Sequence, residues 1–302
     1  PLKKIFTKYA RNTPHAVRHI KDHVTQVNLQ NNRVTLSSGE TVEYTILVIA
    51  TGTRGQTYAF KLSPSADYTE SFNQIDDLAE KIKKAKSIAI VGGGATGVEI
   101  AGELGYNYGK DKKIVLYTGT KAPIKDIKPS LQLAAQKKLN QVGIDVINNL
   151  KVTEIKEGSI RLTDNTTENF DLIIPTFKET PNTEFLDNSV LNDLGYVITD
   201  EFFRLKAFPN VMAIGDVAEL TPKLTVDIYY YQAKVFRSTL AYLIRGEGSL
   251  KKYIPTPHPM LIVPISKNGG VGVAWGFDYP NFLIKFFRCR DYGIKRSESF
   301  LL

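Results

Sequence analysis

The chain has 302 residues, 42% hydrophobic and 23% charged, with a formal net charge of +8. That length accommodates two compact units, and the composition excludes wholesale disorder. No apolar run approaches the roughly 18 residues that cross a bilayer, and the single cysteine, Cys289, permits neither an internal disulfide nor a CxxC redox pair. One cysteine fits a reducing, cytoplasmic setting. The basic residues are spread along the chain, with mild clusters at Lys81–Lys86 and Lys285–Arg296. Neither zinc-ligand spacing nor a basic helix with interleaved aromatics occurs, so neither a metal site nor a nucleic-acid partner is expected.

The first segment, to about Gln56, is β-rich. His23 to Leu29 and Arg33 to Leu36 read as a hairpin across Asn31-Asn32, with Ser38-Gly39 turning into the next strand. Thr45 to Ala50 is a continuous apolar run that suits a strand buried on both faces. From about Phe72 helix and strand alternate. Ile75, Leu78, Ala79 and Ile82 mark one face of an amphipathic helix. Ser87 to Val91 is a strand, followed by a glycine turn and a helix from about Thr96. Lys113 to Tyr117 is a strand, Leu131 to Val142 a helix and Ile144 to Ile147 a strand. Val152 to Ile155 and Ser159 to Leu162 form a small meander, and Leu172 to Pro175 closes a doubly wound βαβ unit. Beyond it, Val211 to Ile214 reads as a strand and a five-turn helix starts at Val226. Residues 247–302 read as a small β-rich unit.

The stretch from Ile88 to Leu104 carries most of the chemistry. It sets Gly92-Gly-Gly94-Ala-Thr-Gly97 between an apolar strand and a helix. Gly92 allows the tight turn, Gly94 lets backbone amides approach a pyrophosphate, and Gly97 permits close helix–strand packing. The pyrophosphate then sits at a helix N-terminus, where free amides and the macrodipole favour negative charge. At the end of the next strand, NAD-selective sites hold a carboxylate for the ribose 2′-hydroxyl. Here that place reads Tyr117-Thr118-Gly119-Thr120-Lys121, with nothing to repel a 2′-phosphate. Lys121 either pairs with such a phosphate or is simply solvated, which points to NADPH or to dual use.

Two further motifs flank the glycine turn. Ile46 to Gly52 ends in Ala-Thr-Gly, and Val211 to Ala218 contains Gly215-Asp216. With these the chain resembles the two-dinucleotide flavoproteins, which insert an NAD(P) domain into an FAD domain. Met260 to Gly272 and the aromatic-basic run to Asp291 are most similar to the apoptosis-inducing-factor-like, ferroptosis-suppressor type of FAD-dependent NAD(P)H:quinone oxidoreductase. The resemblance implies an α/β fold with a Rossmann-like NAD(P) domain at 61–178. The FAD domain is then in two parts at 1–60 and 179–246, with a C-terminal unit at 247–302. It also implies a first strand–GxGxxG–helix for FAD, which would precede Pro1, and Ile174-Pro-Thr176-Phe177 departs from the Thr-Gly pair more usual there.

The roles below follow from that resemblance. FAD is the cofactor, NAD(P)H the co-substrate, and a quinone or other electron acceptor the partner. Asp216, with Gly215, holds the flavin side chain. Thr51 and Gly52 line the flavin through backbone, and the Val24 backbone meets the adenine unless Val24 is only a core residue. Glu99 either caps its helix or sits near the nicotinamide and flavin, as a catalytic group. Gln232, after three tyrosines, is a quinone-pocket residue or a surface glutamine. Phe282 to Phe287, interleaved with Lys285, Arg288 and Arg290, suit a peripheral contact with a mitochondrial or lipid-droplet membrane, a domain contact or a homodimer contact. The alternative to an enzyme is an inactive NAD(P)H-binding regulator that works through partners.

Overall fold

The computed structural model describes residues 18–57, 59–60, 68–177, 179–222, 227–255 and 260–290. Val226, Asp291, Lys295 and Arg296 therefore lie outside the described residues. The elements in chain order begin with β1 (Val24–Asn28), β2 (Arg33–Leu36), β3 (Thr41–Glu43), β4 (Leu47–Ile49), β5 (Thr53–Arg54), α1 (Tyr68–Lys84), β6 (Ser87–Val91) and α2 (Ala95–Tyr108). Next come β7 (Lys113–Tyr117), α3 (Pro129–Gln141), β8 (Ile144–Ile147), β9 (Val152–Lys156), β10 (Ser159–Leu162), β11 (Thr167–Asn169), β12 (Leu172–Pro175) and β13 (Thr180–Pro181). The chain continues through β14 (Val211–Ala213), α4 (Ala233–Arg245), β15 (Leu261–Pro264), β16 (Gly270–Ala274), β17 (Phe277–Asp278) and α5 (Asn281–Phe287). Two compact units result. The described part of one covers 55–177 and 260–290, and that of the other 18–54 and 179–255.

In the first unit a parallel sheet runs in the order β12-β6-β7-β8. Because successive side chains point to opposite faces, its strands can be apolar throughout only if both faces are covered. They are. Ile88, Ile90, Ile114 and Leu116 join Val98, Ala101, Ala135 and Leu139 of the helices on one face. Ala89, Val91, Val115 and Tyr117 meet Ile160, Leu162 and Phe170 on the other. That second layer is the antiparallel meander β11-β10-β9, not a second layer of helices, so the doubly wound expectation is corrected. Full burial of each branched side chain stabilises by about 1.5–3 kcal/mol before entropy is counted. In α1 only Leu78 and Ile82 of the expected face pack on the core; Ile75 is 48% exposed.

The stretch expected as a separate C-terminal unit shares this core. Val263, Ile265 and Val271 belong to the same cluster as Val98 and Ala101. Gly102 makes that approach possible, since a Cβ there would lie 2.9 Å from Ser266 N and 3.0 Å from Ile265 Cα. The aromatic-basic run folds as the short helix α5, with Ile284 buried and Asn281 Oδ1 accepting from Gly270 N at 2.9 Å.

In the second unit β1 and β2 pair across Asn31-Asn32, with Asn28 opposite Arg33 and Asn32 at φ 51°. Val27, Val34, Leu36 and Ile49 supply its core together with Val197, Leu205 and Val211. β4 runs parallel to β14, Leu47 opposite Val211. Of β4, Ile49 is buried but Val48 is 36% exposed, so burial on both faces is not observed.

Gly102→Ala should force α2 off the 265–266 backbone. Overpacking of this kind costs about 1–3 kcal/mol. A lowered urea midpoint at unchanged slope would show it; an unaltered midpoint would mean that the C-terminal strands do not rest on α2.

Candidate functional site

β6 ends in a turn that only glycine serves. Gly92 sits at φ +123°, and its N–H donates to the Tyr117 carbonyl at 2.9 Å. A Cβ at Gly97 would fall 1.9 Å from Gly92 O, so strand and helix meet backbone to backbone. Above the turn lies open space: a Cβ at Gly94 would have nothing within 4 Å, and no side chain caps α2. The first amides of a 14-residue helix thus point at an uncovered spot. From below, Thr176 holds the turn, its N–H donating to Val91 O at 2.8 Å and its hydroxyl lying 3.0 and 3.1 Å from Val91 O and Gly92 O. Thr176, noted in the sequence only as a departure, is the residue on which the turn rests.

At the end of β7 the expected residues separate. Tyr117 is 1% exposed and packs edge-on against Phe170, so its side chain turns away from the glycine turn. Burial, then the Glu168 contact, raises its phenol above the ordinary range. Thr118 is buried, its hydroxyl 2.9 Å from Thr120 O in the loop and 2.9 Å from Asn148 Oδ1 just past β8. Lys121 is exposed. Lys151, absent from the sequence expectations because it is distant in the chain, runs beside Gly119, where a Cβ would be 3.4 Å from its Cγ. No carboxylate occupies positions 118–121. Ile124 closes the loop, its N–H donating to Gly93 O at 2.7 Å from a left-handed φ of 55°.

In the second unit, the parallel strands β4 and β14 release their chains side by side at their carboxyl ends, where α/β sheets place ligands. Ile214 N donates to Ile49 O at 3.0 Å, and the turns Thr51-Gly52 and Gly215-Asp216 follow. Gly52 takes φ 65° and Gly215 φ 80°. The Thr51 hydroxyl donates to Asn182 O at 2.7 Å, while Asn182 Nδ2 donates back to Thr51 O at 2.9 Å, which leaves backbone as the available surface. Gly215 and Asp216 are half-buried. Val24 is 36% exposed at the start of β1. Gln232 has no exposed surface. It lines neither a surface nor an open pocket, since its amide is spent on Gly215 N at 3.0 Å and Asp227 Oδ2 at 2.7 Å.

Residues 2–230 match the model of the pyridine nucleotide-disulphide oxidoreductase family. The chain belongs to that family. An oxidoreductase, ptaL, of Pestalotiopsis fici is 33% identical over 258 residues, 82% of this chain and 67% of that protein. Ferroptosis suppressor protein 1 of Xenopus laevis is 27% identical over 293 residues, 91% of this chain and 76% of that one. Among solved structures, a ferredoxin reductase of the CYP199A2 system from Rhodopseudomonas palustris superposes with a TM-score of 0.64 at 21% identity. It covers 87% of this chain and 69% of its own, and shows the shared fold.

FAD and NAD(P)H are the cofactors of such oxidoreductases, and the residues present fit them. The bare helix start over Gly94 is a cradle that a side chain would fill, and the paired strand-end turns of the second unit offer backbone with one acid, Asp216.

Glu99 stands one turn into α2, half-buried, and burial pushes its carboxyl up to about 7, against a smaller opposing pull from Arg288. The folded chain therefore keeps a proton that the unfolded chain loses at its ordinary 4.5. Folding stability should fall as pH rises from 4.5 to about 7, by on the order of 3 kcal/mol, and be flat above. Glu99→Gln should remove that slope in urea titrations run at several pH values; an unaltered slope would place the buried proton elsewhere. Gly97→Ala should raise the NADPH dissociation constant about tenfold or more, because the clash with Gly92 O widens the turn. Fluorescence titration with NADPH measures this, and wild-type affinity would mean that the turn does not hold the nucleotide.

Proposed function

We propose that the protein is an FAD-dependent NAD(P)H oxidoreductase whose electron acceptor is a quinone. The observation that carries this reading is the presence, in each unit, of a dinucleotide-suited turn at the carboxyl ends of parallel strands. Gly92, Gly94 and Gly97 hold the nicotinamide nucleotide's pyrophosphate on the first amides of α2. Thr51, Gly52, Gly215 and Asp216 hold FAD, with Val24 contributing backbone. When bound, the flavin accepts hydride from the nicotinamide and passes electrons onward.

The residues of the chain supply selectivity and protons. Lys121 and Lys151 at the end of β7 offer two ammonium groups to a 2′-phosphate where NAD-selective sites present a carboxylate. Glu99, neutral or ionised near pH 7, is suited to hold or release a proton as quinone becomes quinol. Trp275, Phe277, Phe282 and Phe286 are each more than 60% exposed, beside Lys285, Arg288 and Arg290. That surface suits an anionic membrane that stores an apolar quinone, although no helix among the described residues is long and apolar enough to cross one.

Steady-state oxidation of NADPH and NADH with a short-chain quinone tests the reading. Lys121→Glu should raise KM for NADPH about tenfold and leave NADH unaffected. Equal effects on both would remove the selectivity assignment, and no quinone-dependent oxidation by the flavin-loaded protein would remove the acceptor.

A further inference from the structure

We infer that Asp227 and Tyr253 are positioning residues for the Gly215-Asp216 turn, acting through the amide of Gln232. The inference rests on the reading of that turn as a flavin contact. It begins with an irregularity in the helix. Residues Ile228–Gln232 form a single π-helical turn ahead of α4, with the Ala233 N–H donating to Ile228 O five residues back. In an α-helix, positions five apart lie about 140° around the axis. A turn closed by five-residue hydrogen bonds brings them closer together around the axis. Asp227 and Gln232 are five apart, and their side chains meet at 2.7 Å.

The donors and acceptors then run in one direction only. Asp227 Oδ2 accepts from Gln232 Nε2 and, at 2.8 Å, from Tyr253 Oη. An amide NH2 donates and a carboxyl oxygen accepts, so the Nε2 end of Gln232 faces Asp227. Oε1 is thereby turned toward Gly215, whose N–H it receives at 3.0 Å. Thr221 Oγ1 donates to Gly215 O at 2.9 Å. Both polar groups of Gly215 are thus held, at a φ of 80°, and the next residue is Asp216. Tyr253 is itself anchored. Its N–H donates to Glu201 O at 2.7 Å, and its ring lies 5.0 Å from that of the fully buried Phe203.

Packing alone does not account for this arrangement. Asp227 is 1% exposed, Gln232 0% and Tyr253 4%, within a cluster that includes Phe203, Met212 and Val235. Asp227 Oδ1 is buried with no hydrogen-bond partner. A half-satisfied buried carboxylate is costly, and a well-packed apolar residue of similar size often serves stability better. What the acid supplies that a leucine cannot is the orientation of the amide.

The test uses the intact protein and two readouts, amide hydrogen exchange at Gly215 and the FAD dissociation constant from flavin fluorescence. Asp227→Leu should speed Gly215 exchange and weaken FAD, each about tenfold, at unchanged or raised global stability and unchanged NADPH affinity. Asp227→Asn keeps one oxygen in the place of Oδ2 and should restore both readouts to near wild type. Tyr253→Phe should produce a smaller loss in the same direction, and decides the matter if the leucine variant does not fold. Wild-type exchange and affinity in Asp227→Leu or, failing that, in Tyr253→Phe would overturn the inference. So would an asparagine variant as impaired as the leucine one. Asp216→Ala separates the two readings. If it spares FAD affinity, the turn is not a flavin contact; if it weakens FAD while Asp227→Leu does not, only the positioning inference falls.

Discussion

The parallel strands of the first unit, buried on both faces, leave the chemistry of this molecule to its turns. A strand whose side chains are all committed to packing has no functional group of its own to offer, so chemistry is left to the turns at its carboxyl end. β6 and β7 run directly into Gly92 and Thr118, and β4 and β14 lead, one residue further on, to Thr51 and Gly215. At each of these ends the protein presents backbone more than side chain. Backbone amides can meet a pyrophosphate only where nothing bulkier intervenes, and the open space over Gly94 together with the contact at Gly97 satisfies that condition.

The side chains that matter work from beneath these turns. Thr176 ties the glycine turn to β12 through Val91 and Gly92. Gln232, Asp227 and Tyr253 stand in the same relation to Gly215. Glu99 is different, a carboxyl that partial burial pushes up to about 7.

Much of the fold was legible because its signals are local. The bounds of β6, β7, β8 and β12 follow from apolar β-branched runs, and the hairpin at Asn31-Asn32 from residues that tolerate a left-handed φ. The glycine motif was legible for the same reason. Long-range packing was not. Nothing in the alternation of 261–278 tells that these strands lean on α2 at Gly102, and α5 was hidden by aromatic residues that also favour strands. Tyr117 sat next to the expected ribose position, but strand parity turns it into the meander. In an α-helical register Gln232 lies away from Asp227, and the wide turn that joins them leaves no mark in the sequence. Lys151 was missed because it reaches Gly119 from the far end of β8.

The central claim is that one chain binds a flavin that is reduced by a nicotinamide nucleotide. The most direct measurement is the absorbance of the FAD-loaded protein under anaerobic conditions as NADPH is added. The account predicts a flavin band that bleaches on NADPH addition and returns when a quinone is introduced. A protein that binds NADPH but carries no flavin band, or whose band NADPH leaves unchanged, would contradict it.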